Sequence, residues 1–242
     1  MPELTKELQE LTPKIRKVVG DALDYLTDSL NRMGAIAIEV SKKLDEHELP
    51  KTLENFEAGL KSMLVEEKME DIIEILAGKD WKDNPDLAGT PDRVARMWAF
   101  ELFRDVPSFK NLITFPTDND EMVIIKDMDV VGLCPHHMQP IEYKVHAAYI
   151  PNGQAVGLSK IPRLALRLGQ VPQLQENLTT DIGKRLEKAL NPLGVAVVIK
   201  GIHGCMKFRG VKQKESETVT SYLSGAFKEN VETRNEFMSL IK

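Results

Sequence analysis

Both cysteines of the 242-residue chain and three of its five histidines fall into two short windows, Cys134-Pro135-His136-His137 and His203-Gly204-Cys205. A thiolate and a neutral imidazole are the ligands zinc favours, and three protein ligands leave a fourth coordination position for an activated water. Cys134 and His137 stand at C-x-x-H spacing, so one tight turn stiffened by Pro135 brings both side chains to one ion. Cys205 then closes the site from a distant segment. Spacing alone leaves open which histidine is the ligand. The imidazoles left over titrate near neutrality, so they suit moving protons to and from a bound substrate. The competing readings are buried apolar cysteines with histidines nearby, or one disulfide.

Composition narrows the class of protein around these windows. A hydrophobic content of 42% suits a soluble globular chain with one sizeable core. No apolar run reaches the roughly 18 residues of a membrane span, and the acidic, polar start is unlike a signal peptide, so the cytoplasm is expected. A reducing compartment also suits two cysteines that each stand near histidine. Net charge is -5, yet residues 144–214 hold twelve Lys or Arg against three Asp or Glu, a local +9 that leaves -14 for the rest. That asymmetry argues against general nucleic-acid binding and for a focused anion site such as a polyphosphate pocket, with Lys184 and Lys188 read as ordinary helix-face lysines.

The elements that must position these residues are legible in the periodicity. Leu4, Leu8, Leu11, Ile15, Val18, Val19, Ala22 and Leu26 recur at helical spacing in an N-terminal extension of about 60 residues, with a break at Pro50. Helices are also predicted for Met63–Ala77, ending at Gly78, and from the Thr90-Pro91 cap to Phe103. Strands are predicted for 122–126, 128–133, 143–150, 155–158, 195–201 and 218–223, with Met206–Val211 continuing or pairing with the 195–201 strand. Helices fill 161–168, 173–190 and 231–241. On an extended strand His203 and Cys205 would share one face. His146, inside an alternating strand, reads as structural.

Several ordered motifs resemble the GTP cyclohydrolase I family: LCPHH at 133–137, KVHAAYIPNGQAVGLSKIPRLA at 144–165, PQLQENLT at 172–179 and HGCMKFRGV at 203–211. GTPDRVARMWAFELF at 89–103, SETVTSYLSGAF and TRNEFMSLI extend the likeness from about residue 65 to the C-terminus. The resemblance implies an α+β tunnelling fold, an antiparallel sheet covered by helices; helical spacing sets residues 1–60 apart as an extension, leaving 61–242 as the catalytic domain. It implies Cys134, His137 and Cys205 as zinc ligands and His136 and His203 as acid-base residues, with Ser159 near the ribose. Glu176, with Gln175 beside it, would recognise guanine, and Lys160, Arg163, Arg209 and Arg93 would hold the triphosphate. The implied reaction converts GTP to 7,8-dihydroneopterin triphosphate and formate, the first step of pteridine biosynthesis.

The same resemblance implies a homodecamer of two stacked pentamers with active sites at subunit interfaces. Composition and charge point to no membrane or nucleic-acid partner, and the helical apolar spacing of the extension, which the resemblance does not cover, points to association with a neighbouring helix, subunit or partner protein. Two positions depart from the family pattern: Pro135 replaces a usual Glu, and Asn177 a frequent basic residue. Rival readings are a tunnelling-fold relative such as a nitrile reductase, with a nucleophilic cysteine and a nicotinamide cofactor, or a zinc-stabilised nucleotide-binding protein without turnover. The absence of a GxxxxGK[ST] loop means that side chains would have to hold any triphosphate.

Overall fold

The computed structural model describes residues 31–46, 48, 50, 52–103 and 112–242, so the helix expected over Leu4 to Leu26 lies outside the described residues. The chain divides after Arg96 into two compact units.

In the first unit, helical residues 31–46 (α1) pack on α2 (Leu53–Ala77). The Thr52 side chain caps α2 by accepting from the Asn55 N–H at 3.2 Å. The helix stops at Gly78, whose φ of +92° suits glycine and whose N–H bonds the Glu74 carbonyl. Gly59 permits the close approach of α1, because a Cβ there would lie 2.7 Å from Val40 Cγ1, and Val40 and Leu44 are fully buried. Lys43 of α1 pairs with Glu66 of α2 and, at 3.0 Å, with Asp92 of α3 (Thr90–Arg96). The domain boundary expected near residue 60 therefore falls inside a continuous helix.

The helix expected from Pro91 to Phe103 is two pieces, α3 and a π-helical turn, Met97–Leu102, that opens the second unit. Its Phe103 N–H reaches back five residues to the Trp98 carbonyl at 2.7 Å.

The second unit is built on four antiparallel strands in the order β2 (Val123–Leu133), β3 (Pro140–Ile150), β5 (Gly194–His203) and β6 (Thr218–Gly225). A short β1 (Thr114–Pro116), not anticipated from the sequence, pairs with β4 (Gln154–Val156). The crossing from β3 to β5 carries β4, α4 (Lys160–Gly169) and α5 (Gln175–Leu190). Alternation along β3 turns Ile141, Tyr143, Val145, Ala147 and Tyr149 toward Ile161 and Leu164 of α4 and Leu178, Ile182 and Leu186 of α5, forming the main core. On the other face Ala148, Ala196 and Val198 meet Phe227 and Phe237 of α7 (Ala226–Glu229) and α8 (Val231–Leu240). The α+β reading, an antiparallel sheet covered by helices, agrees with this architecture.

A strand expectation also fails. Met206–Val211 is not a strand: Gly204 ends β5, and the Phe208 N–H bonds the Gly204 carbonyl at 2.9 Å, closing the helical turn α6 (Gly204–Lys207). His146 is buried, its Nδ1 accepting from the Asp127 N–H at 3.3 Å across the bulge in β2. Among the described residues no helix is long and apolar enough to cross a membrane.

Candidate metal centre

The β2–β3 hairpin builds the first half of the centre. Leu133 pairs with Pro140; beyond them the Cys134 N–H bonds the Gln139 carbonyl and the Met138 N–H bonds the Cys134 carbonyl, both at 2.9 Å. Met138 takes a positive φ of +50° to close this loop. Cys134 is buried, whereas Pro135, His136 and His137 are exposed.

The second half arrives through strand register. Ile141 is opposite His203, so the end of β5 lies beside the hairpin. A Cβ on Gly204 would meet the Pro140 carbonyl oxygen at 2.7 Å and Gln139 Cβ at 3.3 Å, so only glycine lets the chain turn here against the loop. Cys205 follows in the first turn of α6. His203 and Cys205 thus do not share an extended-strand face as expected, because the first ends the strand and the second belongs to a helical turn.

These two segments bring the ligand atoms of Cys134, His137 and Cys205 within 4.8 Å of one another. Cys134 Sγ lies 3.9 Å from His137 Nδ1, and both thiols are free, which removes the disulfide reading. Burial, together with the neighbouring Cys134, pushes the Cys205 thiol up. A cation among the three groups reverses that penalty, and two sulfurs with one imidazole are a donor set that suits zinc.

His203 stands beside this group. Its Nε2 lies 2.8 Å from Gln175 Oε1, and the Tyr143 ring meets it edge-on at 6.2 Å and 85°. Burial holds His203 below the ordinary histidine range, with the Glu176 carboxylate pulling the other way. Burial also pushes the Tyr143 phenol up, with Cys134, Glu176 and Cys205 contributing. His136 is exposed, its ring 6.3 Å from that of His137. Arg209 Nη1 lies 2.8 Å from His137 Nε2.

The remaining expected residues divide by position. Glu176 is exposed on the first turn of α5, whereas Gln175 is buried and its side-chain amide is engaged by protein groups rather than turned to solvent. Ser159 precedes α4, and Lys160 and Arg163 lie on its first turn. Among the described residues none of these three is hydrogen-bonded or ion-paired to the cysteine–histidine group. Arg93, in the first unit, donates from Nη2 to the Asp86 carbonyl and to Thr90 Oγ1, each at 3.0 Å. Sequence reasoning passed over Tyr143, Gly201 and Gly204; the two glycines around Ile202-His203 were the available signal.

Fold and site together define an α+β protein that carries a two-cysteine, one-histidine candidate metal centre at one end of its sheet. The sequence profile of the family described as GTP cyclohydrolase I matches residues 65–242. The chain is 47% identical over 158 residues to GTP cyclohydrolase 1 of Sulfurihydrogenibium sp., covering 64% of this chain and 82% of that protein. It is 46% identical to GTP cyclohydrolase 1 of Pelotomaculum thermopropionicum, covering 66% and 88%, and 42% identical to that of Latilactobacillus sakei, covering 71% and 94%. The chain belongs to the GTP cyclohydrolase I family and is, with it, a hydrolase.

Proposed function

We propose that this chain hydrolyses GTP to 7,8-dihydroneopterin triphosphate and formate, with zinc held by Cys134, His137 and Cys205. The observation that carries this reading is the convergence of those three ligand atoms within 4.8 Å. Zinc bound there supplies a Lewis acid that lowers the pKa of water toward about 7.

The chain's own side chains do the rest. Opening the guanine imidazole ring adds water at C8 as N7 gains a proton, and a second hydrolysis releases C8 as formate; His203 and His136 carry the protons. Glu176 accepts from guanine N1–H and the 2-amino group, which a carboxylate does with both oxygens. Lys160, Arg163, Arg209 and Arg93 hold the triphosphate, where guanidinium forks match phosphate oxygens. Ser159 lies at the ribose, which then rearranges to a ketone whose carbonyl condenses with the amine left at the former N7, releasing water as the dihydropterin ring closes.

Residues 61–242 form the catalytic segment and the N-terminal extension serves association. The assembly is a decamer of two pentamers in the cytoplasm, at the first step of pteridine biosynthesis. Incubating the purified chain with GTP and assaying formate, together with neopterin fluorescence after oxidation, tests the reading. Zinc and GTP binding without formate release would make it a nucleotide-binding protein instead.

A further inference from the structure

The Gln175 side chain is 1% exposed, and its amide nitrogen lies 3.0 Å from the Ile199 carbonyl, 2.9 Å from the Thr218 carbonyl and 3.1 Å from Thr220 Oγ1. Carbonyl oxygens only accept, so the nitrogen end of this amide is fixed and its oxygen end faces His203 Nε2 at 2.8 Å. An amide oxygen also only accepts, so the proton in that contact belongs to His203 Nε2. In the neutral ring the lone pair then lies on Nδ1.

The surrounding hydroxyls agree. Thr179 donates its one hydroxyl proton to the Gln175 backbone carbonyl at 2.7 Å, so in the 2.7 Å contact between Thr179 and Thr220 the donor is Thr220. Thr220 Oγ1 is left with a lone pair for the Gln175 amide. Gly201 provides the room: a Cβ there would collide with Gln175 Oε1 and stand 3.1 Å from its Cδ and 3.0 Å from Tyr143 Cδ1. A glycine inside a strand is otherwise a weakness, and close approach by another group is a standard reason for one.

We propose that Gln175, admitted by Gly201, holds His203 as its Nε2–H tautomer, so that Nδ1 is the nitrogen exchanging protons at the substrate. Gln175 is thus a positioning residue and not a guanine contact. The proposal rests on the reading of His203 as a proton carrier in GTP hydrolysis.

The direct test is solid-state ¹⁵N NMR of the zinc-loaded full chain labelled at histidine, with the His203→Ala spectrum assigning the His203 signals. The expected result is a protonated Nε2 and a bare Nδ1; a neutral His203 protonated at Nδ1 overturns the proposal. This measurement needs no turnover, so absence of formate release would sink the proposed function separately.

Gln175→Leu and Gly201→Ala give the kinetic arm. With zinc retained, each lowers kcat for GTP by at least ~10-fold, leaves KM within about threefold and shows mixed His203 tautomers. Wild-type kcat in a zinc-loaded variant, or a raised KM with kcat intact, overturns it. If Gln175→Leu fails to fold, Gly201→Ala and the wild-type spectrum still decide.

Discussion

Arg209 Nη1 lies 2.8 Å from Nε2 of His137, across 72 residues of sequence, while the other ring nitrogen of His137, Nδ1, is the one near Cys134. A neutral imidazole carries one ring proton, so a metal ligated by Nδ1 would leave that proton on Nε2 and Arg209 would then donate to another acceptor. A cation proposed for phosphate binding thus stands beside the candidate metal centre.

Arg209→Ala should therefore weaken triphosphate binding without emptying the centre. Losing one hydrogen bond to a charged group predicts a KM for GTP raised about 10- to 100-fold, with zinc content unchanged. Steady-state kinetics beside metal analysis checks this; an unaltered KM would remove Arg209 from the phosphate site.

Cys205→Ser should lose most of the bound zinc, because Cys205 is the one ligand delivered by the second segment. About one zinc per chain is expected in the parent protein and far less in the variant. Full occupancy in the variant would exclude Cys205 from the ligand set.

His203→Ala and His136→Ala should keep zinc and slow formate release by roughly 10²-fold or more, the usual effect of losing a proton carrier. Zinc loss in both variants, or wild-type rates in both, would contradict the division between ligands and carriers.

A pH dependence of stability comes from His146, far along β3 from the centre. Burial holds its pKa below the ordinary 6.5; Asp127 opposes this, and Lys200, Lys126 and Lys144 reinforce it. Its Nε2 has no hydrogen-bond partner among the described residues. A histidine with a depressed folded pKa binds more protons when unfolded, so stability falls as pH drops below 6.5 and levels off once the folded ring is protonated too. Urea midpoints should decline from about pH 7 to about pH 5 in the parent and more shallowly in His146→Leu. Equal slopes would assign the effect to other groups.

Truncation separates the extension from the chemistry. A chain starting at Thr52 keeps the cap of α2 but bares the strip around Ala58 and Gly59 that α1 covers with Val40 and Leu44. It should bind zinc and release formate while losing solubility or part of its assembly. Light scattering with GTP kinetics decides, and loss of turnover in a truncated chain that assembles like the parent would make these helices part of the active unit.

Much of the second unit was legible because its signals are local. Two-residue alternation marks Tyr143–Ile150, apolar spacing marks the helix over 175–190, and the rarity of cysteine and histidine isolates both halves of the centre. The misread stretch, Met206–Val211, has strand-like residues, but Gly204 turns the chain before they begin.

What only the tertiary structure decided is where neighbouring groups face and which proton goes where. Gln175 and Glu176 are adjacent and both polar, so sequence treats them alike. Packing turns Gln175 inward to β5 and β6 and leaves Glu176 exposed. Gly201 and Gly204 are three positions apart, yet the Cβ space of Gly201 is given to the Gln175 amide and that of Gly204 to the Pro140 carbonyl, segments remote from each other in the chain. The physical reason is range: periodicity belongs to one element, whereas close approach and hydrogen-bond direction depend on atoms that meet only when several elements have packed.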